Sequence, residues 1–125
     1  MTNNQISSTK YGERKIDEKN PDPMTLSFVK ICEGYMKNNV AELTLSASAR
    51  RRYNAQFNRI KVYFDYTVNE IGLQYFYDIV KSLDVSQAEK KRFVNFCKKA
   101  LDFVSLYYLI PMPDFTVLAF SELVK

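Results

Sequence analysis

From Met24 to Ile110 the chain contains no proline, and its only glycines in that stretch are Gly34 and Gly72. All four prolines lie near the two ends, in "NPDP" and "IPMPDF". An all-β domain needs a turn about every 8–12 residues and draws on Gly and Pro to make them. A chain this poor in both is confined to long elements with short connections, which means helices. With 125 residues, 46% of them hydrophobic, it is long enough for one domain with a real core, without disulfide or metal staples.

Apolar residues recur at spacings of three and four along most of this stretch, the mark of amphipathic helices. Residues 1–23 are polar and mixed in charge, and read as a flexible tail or linker before a helical domain at 24–125. The first helix is expected over about 25–38, burying Phe28, Ile31, Cys32, Tyr35 and Met36; Gly34 weakens it slightly. The second follows Ser46 as N-cap, runs toward residue 66 and buries Tyr53, Phe57, Ile60 and Phe64. The third covers about 72–82 and buries Leu73, Phe76, Ile79, Val80 and Leu83. The fourth opens on Ser86 and Glu89, spaced as a capping box. Its apolar side carries Phe93, Val94, Phe96, Cys97, Ala100, Leu101, Val104 and Tyr108, and "IPMPDF" ends it. "FTVLAFSELVK" fits a short helix or a strand equally well. The expected fold is therefore all-α: a compact bundle of four main helices with a short fifth C-terminal element.

Several chemistries are excluded. The chain has no histidine, which removes the commonest general base and the commonest neutral metal ligand. Three glycines in all cannot build a phosphate-cradling loop. Asp17, Glu18 and Asp84 are isolated acids that read as solvated charge, and nothing has metal-ligand spacing. No enzyme activity, cofactor or metal is expected. Cys32 and Cys97 lie inside apolar helical patterns, which fits two buried free thiols in a reducing cytoplasm. The N-terminus is too polar for a signal peptide, and no apolar run approaches the roughly 20 residues of a membrane span.

What remains is two basic helical sides on a chain of net charge +4. Arg51, Asn54, Asn58 and Lys61 follow one row of the second helix, with Arg50, Arg52 and Arg59 beside it and Ser46 and Ser48 at its start. Lys91, Arg92, Asn95, Lys98 and Lys99 make the outer side of the fourth. An ordinary solvated face accounts for such residues on most surface helices. Here, however, the cations come without interleaved acids and are mixed with amides and hydroxyls. Cations bind phosphate oxygens, and Asn can read base edges. Tyr63, Tyr66, Tyr75 and Tyr107 read as core or boundary residues of a bundle rather than as stacking platforms.

The succession "LSFVKICEGYM", "LSASARRRYNAQFNRIKVYF", "VNEIGLQYFYDIVKSL", "VSQAEKKRFVNFCKKALDFVSLYYLIPMPDF" resembles the core-binding, SAM-like N-terminal domain of phage-type tyrosine recombinases, or integrases. The resemblance spans about residues 24–115. It rests on an aromatic stripe in the first helix, a hydroxyl-rich start with basic residues and a Tyr in the second, and a long fourth helix ending in Ile110-Pro111. The chain departs from the family in lacking the common Asn-Pro near that turn. The family's catalytic Arg, His-x-x-Arg and nucleophilic Tyr cannot be placed on a chain without histidine. The resemblance implies one jaw of a clamp on double-stranded DNA, non-catalytic alone, with a C-terminal catalytic domain and neighbouring recombinase protomers as further partners. The fourteen residues named above on the basic sides, from Ser46 to Lys99, would meet DNA. The alternative is a small phage or plasmid helical protein that binds a protein partner through an aromatic surface. A small transcriptional regulator fits less well, since the short inter-helix turn of that class is not evident. DNA gains if both basic sides open on one concave surface. A protein partner gains if they diverge and an apolar patch is exposed.

Overall fold

The computed structural model describes residues 22–38 and 44–123. Of the tail expected over residues 1–23, residues 1–21 lie outside the described residues, whereas Asp22 and Pro23 belong to the fold. Pro23 is buried, and Asp22 caps a single 3-10 turn, Pro23–Thr25, by accepting from the Met24 amide. Five α-helices follow: α1 Phe28–Asn38, α2 Ala47–Tyr63, α3 Val68–Ser82, α4 Gln87–Tyr108 and α5 Val117–Leu123. Among the described residues there is no strand, only an isolated bridge between Ser27 and Thr67. The fold is all-α, and the ambiguous C-terminal stretch is a helix. α4 packs against α1, α2 and α5, while α3 packs against α5.

The local start signals act where the side chains allow. The Ser46 and Ser86 hydroxyls accept from the amides three residues on, at 3.1 Å each. The complete capping box, however, is at α3. There Thr67 accepts from the Glu70 amide and the Glu70 carboxylate accepts from the Thr67 amide. α3 therefore begins before the expected residue 72. Its first turn is separated from the rest by Gly72, at φ 68 and ψ 166. That backbone region is open essentially only to glycine. α4 ends on Leu109 in the left-handed conformation, where its amide reaches back to the Ser105 carbonyl, and Pro111 prevents continuation.

α2 stops three residues short of the expected end. Phe64 leaves the helix at φ −130 and turns inward to complete burial, at 0% exposure. Its ring meets Phe76 at 5.1 Å and Phe93 at 6.0 Å, and Phe76 meets Phe115 at 5.0 Å. Phe115 meets Phe28 edge-on at 5.0 Å. This chain of rings joins the end of α2 to α3, α4, the approach to α5, and α1. The expected stripes of α1 and α4 are buried, apart from half-buried Met36 and Tyr108. Cys32 and Cys97 are buried free thiols, and burial raises both well above the ordinary thiol range. On α2, Tyr53 and Phe57 are only half-buried, and Gln56 takes the inward position at 3% exposure. Leu73, expected in the core, is 49% exposed, because the kink at Gly72 shifts the helical phase that follows it.

Gln56 is buried because it belongs to a polar knot between α2 and α4. One Glu89 carboxylate oxygen accepts from Gln56 Nε2 at 3.0 Å and Arg59 Nη1 at 2.8 Å. The other accepts from Arg92 Nε at 2.9 Å, and Arg59 also donates to Gln56 Oε1 at 2.7 Å. The expected capping role of Glu89 is thus half fulfilled: Ser86 caps its amide, while its carboxylate crosses to the neighbouring helix. Burial alone would raise this carboxyl, but the bonds from Arg59, Arg92 and Gln56 outweigh it and hold the pKa at about 2.

The kink and the knot can each be tested by substitution. Gly72→Ala is expected to cost about 1–3 kcal/mol through the backbone alone, since nothing lies within 4 Å of the added methyl. Gly34→Ala, inside α1 and equally unobstructed, is expected to gain about 0.5–1 kcal/mol. Urea midpoints measure both, and a shift of the same sign at the two sites would contradict the positive φ of Gly72. For the knot, the variable is acid. A carboxylate with a depressed folded pKa stabilises the fold above its unfolded pKa, and that stabilisation disappears as pH falls from the ordinary carboxylate range through about 2. Glu89→Gln is therefore expected to lose about 2 kcal/mol at neutral pH and to converge with the parent in strong acid. A constant difference in urea stability from neutral to acid pH would show that the loss is one of packing, not of charge.

Candidate nucleic-acid interface

The α2–α4 contact leaves an open groove of about 370 Å³. One wall, from α2, is formed by Ala49, Arg52, Tyr53 and Gln56. The opposite wall, from α4, is formed by Arg92, Asn95, Phe96 and Lys99. Each set has the three- and four-residue spacing of one helical face. Tyr35 from α1 and Leu45, just before α2, complete the described lining. The floor is aromatic: the Phe96 ring meets Tyr35 edge-on at 5.5 Å and Tyr53 at 6.0 Å. Burial, with lesser contributions from Tyr53 and Cys32, pushes the Tyr35 hydroxyl up to about 12, so it is a neutral donor.

The fourteen sequence-predicted residues divide into groups. Arg52, Arg92, Asn95 and Lys99 are brought together on the groove. Arg59 is not available in the same way, because it is spent on Glu89 and Gln56 beneath. Arg92 gives Nε to the same carboxylate. Lys98 points elsewhere and pairs with Asp114 at 3.3 Å. Burial opposes ionisation of Asp114, but bonds from Thr116 and Lys98 hold its carboxyl below the usual range. The basic residues that the sequence shows without interleaved acids are therefore ion-paired at Arg59, Arg92 and Lys98, a correction to their reading as unpaired cations. Glu89 lies one helical turn from Arg92, while Arg59 and Lys98 meet acids 30 and 16 residues away in sequence.

Arg50, Arg51, Asn54, Asn58 and Lys61 are exposed on the side of α2 turned away from the groove. Lys61 lies over the Phe57 ring, 5.1 Å from its centroid. Lys91 is exposed on α4. At the start of α2, the Ser46 hydroxyl is occupied by the Ala49 amide, and Ser48 accepts from Arg52 Nη1 at 3.4 Å. Sequence reasoning missed Gln56, Tyr53 and Phe96 as groove residues. Spacing alone reads Tyr53 and Phe96 as core and gives Gln56 no role.

A second surface lies where α2 meets α3. Tyr63, Tyr66 and Tyr75 are all at least 37% exposed, as are Val62 and Leu73 nearby. The Tyr66 and Tyr75 rings meet edge-on at 6.1 Å, and the Tyr75 hydroxyl donates to the Tyr63 carbonyl at 2.7 Å. These tyrosines, expected at the core or its boundary, are a clustered surface patch. Among the described residues no group of three or more His, Cys, Asp or Glu could hold a metal ion, and no helix is long and apolar enough to cross a membrane. Compared with known proteins, the chain matches no family model, no curated protein and no solved structure.

Proposed function

We propose that the chain is a non-catalytic DNA-binding module that docks on double-stranded DNA through α2 and α4, in the manner of the SAM-like core-binding domain of a tyrosine recombinase. The observation that supports this reading is the convergence of Arg52, Arg92, Asn95 and Lys99, from two helices, on one concave surface. Arg50, Arg51 and Lys61 extend positive charge around the exposed side of α2. Phosphate contacts from such residues supply affinity, and the Asn95 amide at the groove supplies what base reading there is. As one jaw of a clamp the module binds weakly alone, and a catalytic domain and neighbouring protomers would supply the rest.

The tyrosine patch at the α2–α3 junction favours a second reading. Clustered exposed aromatics are a common mark of a protein interface, so a protein partner would meet Tyr63, Tyr66 and Tyr75. In that case the basic faces are ordinary solvated helix surfaces.

Duplex affinity measured against salt separates the two. The logarithm of the affinity is expected to fall linearly with the logarithm of salt concentration, with a slope of about −0.9 per phosphate neutralised. Replacing Arg50, Arg51 and Lys61 by Gln is expected to shallow that slope without altering the circular dichroism spectrum, since all three side chains are exposed. Lys10, Lys15 and Lys19 serve as the control. Equal losses from the control would reduce the interaction to nonspecific attraction, and no duplex binding at low salt would leave the protein-partner reading in place.

A further inference from the structure

The floor of the α2–α4 groove is recessed below the cations that would meet a duplex, and duplex docking leaves it unused. In a duplex each base has both faces covered by its neighbours, so a recessed aromatic surface has nothing to stack against. An unpaired base offers a bare face, and any base will serve, because stacking on an aromatic ring is tolerant of sequence. We propose that this groove is a subsite for one unpaired nucleotide, its base against the Tyr53 ring, which Phe96 backs from the core, and its phosphate on the cationic rim of Arg52, Arg92 and Lys99. The ligand class rests on the nucleic-acid reading above; the groove adds a preference within that class.

Three features carry this assignment. The first is size: about 370 Å³ lies near the lower end of small-ligand sites, which suits a single nucleotide rather than a run of them. The second is the division of chemistry between an aromatic floor and a rim bearing three cations. Glu89 beneath the rim is already occupied by Gln56, Arg59 and Arg92 Nε. Lys99 carries no ion pair among the described residues, and Arg92 gives its Nε to Glu89. The third is a set of polar groups without protein partners. Among the described residues, neither the Tyr35 and Tyr53 hydroxyls nor the Asn95 amide makes a hydrogen bond. Tyr35 lines the groove, and its hydroxyl is a neutral donor there. A base edge offers acceptors and donors to all three.

The test compares three labelled probes by fluorescence anisotropy at one salt concentration: a short oligothymidine strand, a fully abasic strand of the same length and charge, and a blunt duplex. The oligothymidine strand is expected to bind about tenfold more tightly than the abasic strand, the size of one base–aromatic stack. Tyr53→Leu, which keeps the apolar packing of a half-buried position, is expected to bring the ratio of the two strands' affinities close to one. Arg52→Gln and Lys99→Gln, both at exposed positions, are expected to weaken the two strands together. Should Tyr53→Leu fail to fold, the oligothymidine-to-abasic ratio of the parent protein still decides. Equal affinity for the two strands, with duplex binding intact, overturns the subsite and leaves the duplex reading standing. Base-dependent strand binding without duplex binding does the reverse. A base preference that survives Tyr53→Leu in a folded protein places the stacking surface elsewhere and overturns the assignment. Failure of all three probes overturns both.

Discussion

The Phe64 side chain organises the fold. It lies at the first non-helical position after α2, yet it is among the most deeply buried residues. Its ring is shared by Phe76 of α3 and Phe93 of α4, and through Phe76 and Phe115 the contact reaches Phe28 of α1. Each ring pair adds about 0.5–1.5 kcal/mol beyond area burial, and removing the rings from water stabilises the fold by more than the ring–ring geometry does. Because Phe64 must turn inward, α2 cannot continue, and the chain reverses through Tyr66 into the capping box of α3. The same turn fixes α1, since the Phe28 amide donates to the Tyr66 carbonyl at 2.7 Å. One aromatic insertion thus sets where one helix ends, where the next begins and where the first is anchored.

The α2–α4 contact obeys a different constraint. Of the two buried positions of α2, one is apolar Ile60 and the other is Gln56, and a buried amide is tolerable only when hydrogen-bonded. Glu89 meets that need and in doing so gathers Arg59 and Arg92. A knot of this kind is directional where apolar packing is not. It sets the spacing of the two helices, and so the groove, and it decides which cations remain available at the rim. The local cap at Ser86 holds the backbone of Glu89 in place while leaving its carboxylate free for this role.

Two surfaces of opposite character result. The groove joins cations to recessed aromatics, and the α2–α3 junction exposes clustered tyrosines. Both depend on departures from regular helix. The tyrosine patch exists because α2 ends at Tyr63 and because Gly72 shifts the phase of α3, which turns Leu73 outward. A continuous helix through either point would have buried a different set of side chains.

Local sequence was enough to set the helical class, the order of the main helices, the caps at Ser46 and Ser86, and the buried stripes of α1 and α4. Those properties follow from periodicity and from side chains reaching amides three residues away, and proline scarcity left no other class open. Long-range packing made the remaining choices: α2 stops for Phe64, Gln56 is core and Leu73 is surface, and the final segment is a helix. It also divided the fourteen basic and polar residues into a groove, an exposed flank and an ion-paired remainder. No local pattern could make that division. The acid that neutralises Arg59 lies 30 residues ahead of it, and the acid that neutralises Lys98 lies 16 ahead. The free charge of a surface depends on which opposite charges the fold brings within a few ångströms, whereas sequence spacing predicts only the neighbours along one helix.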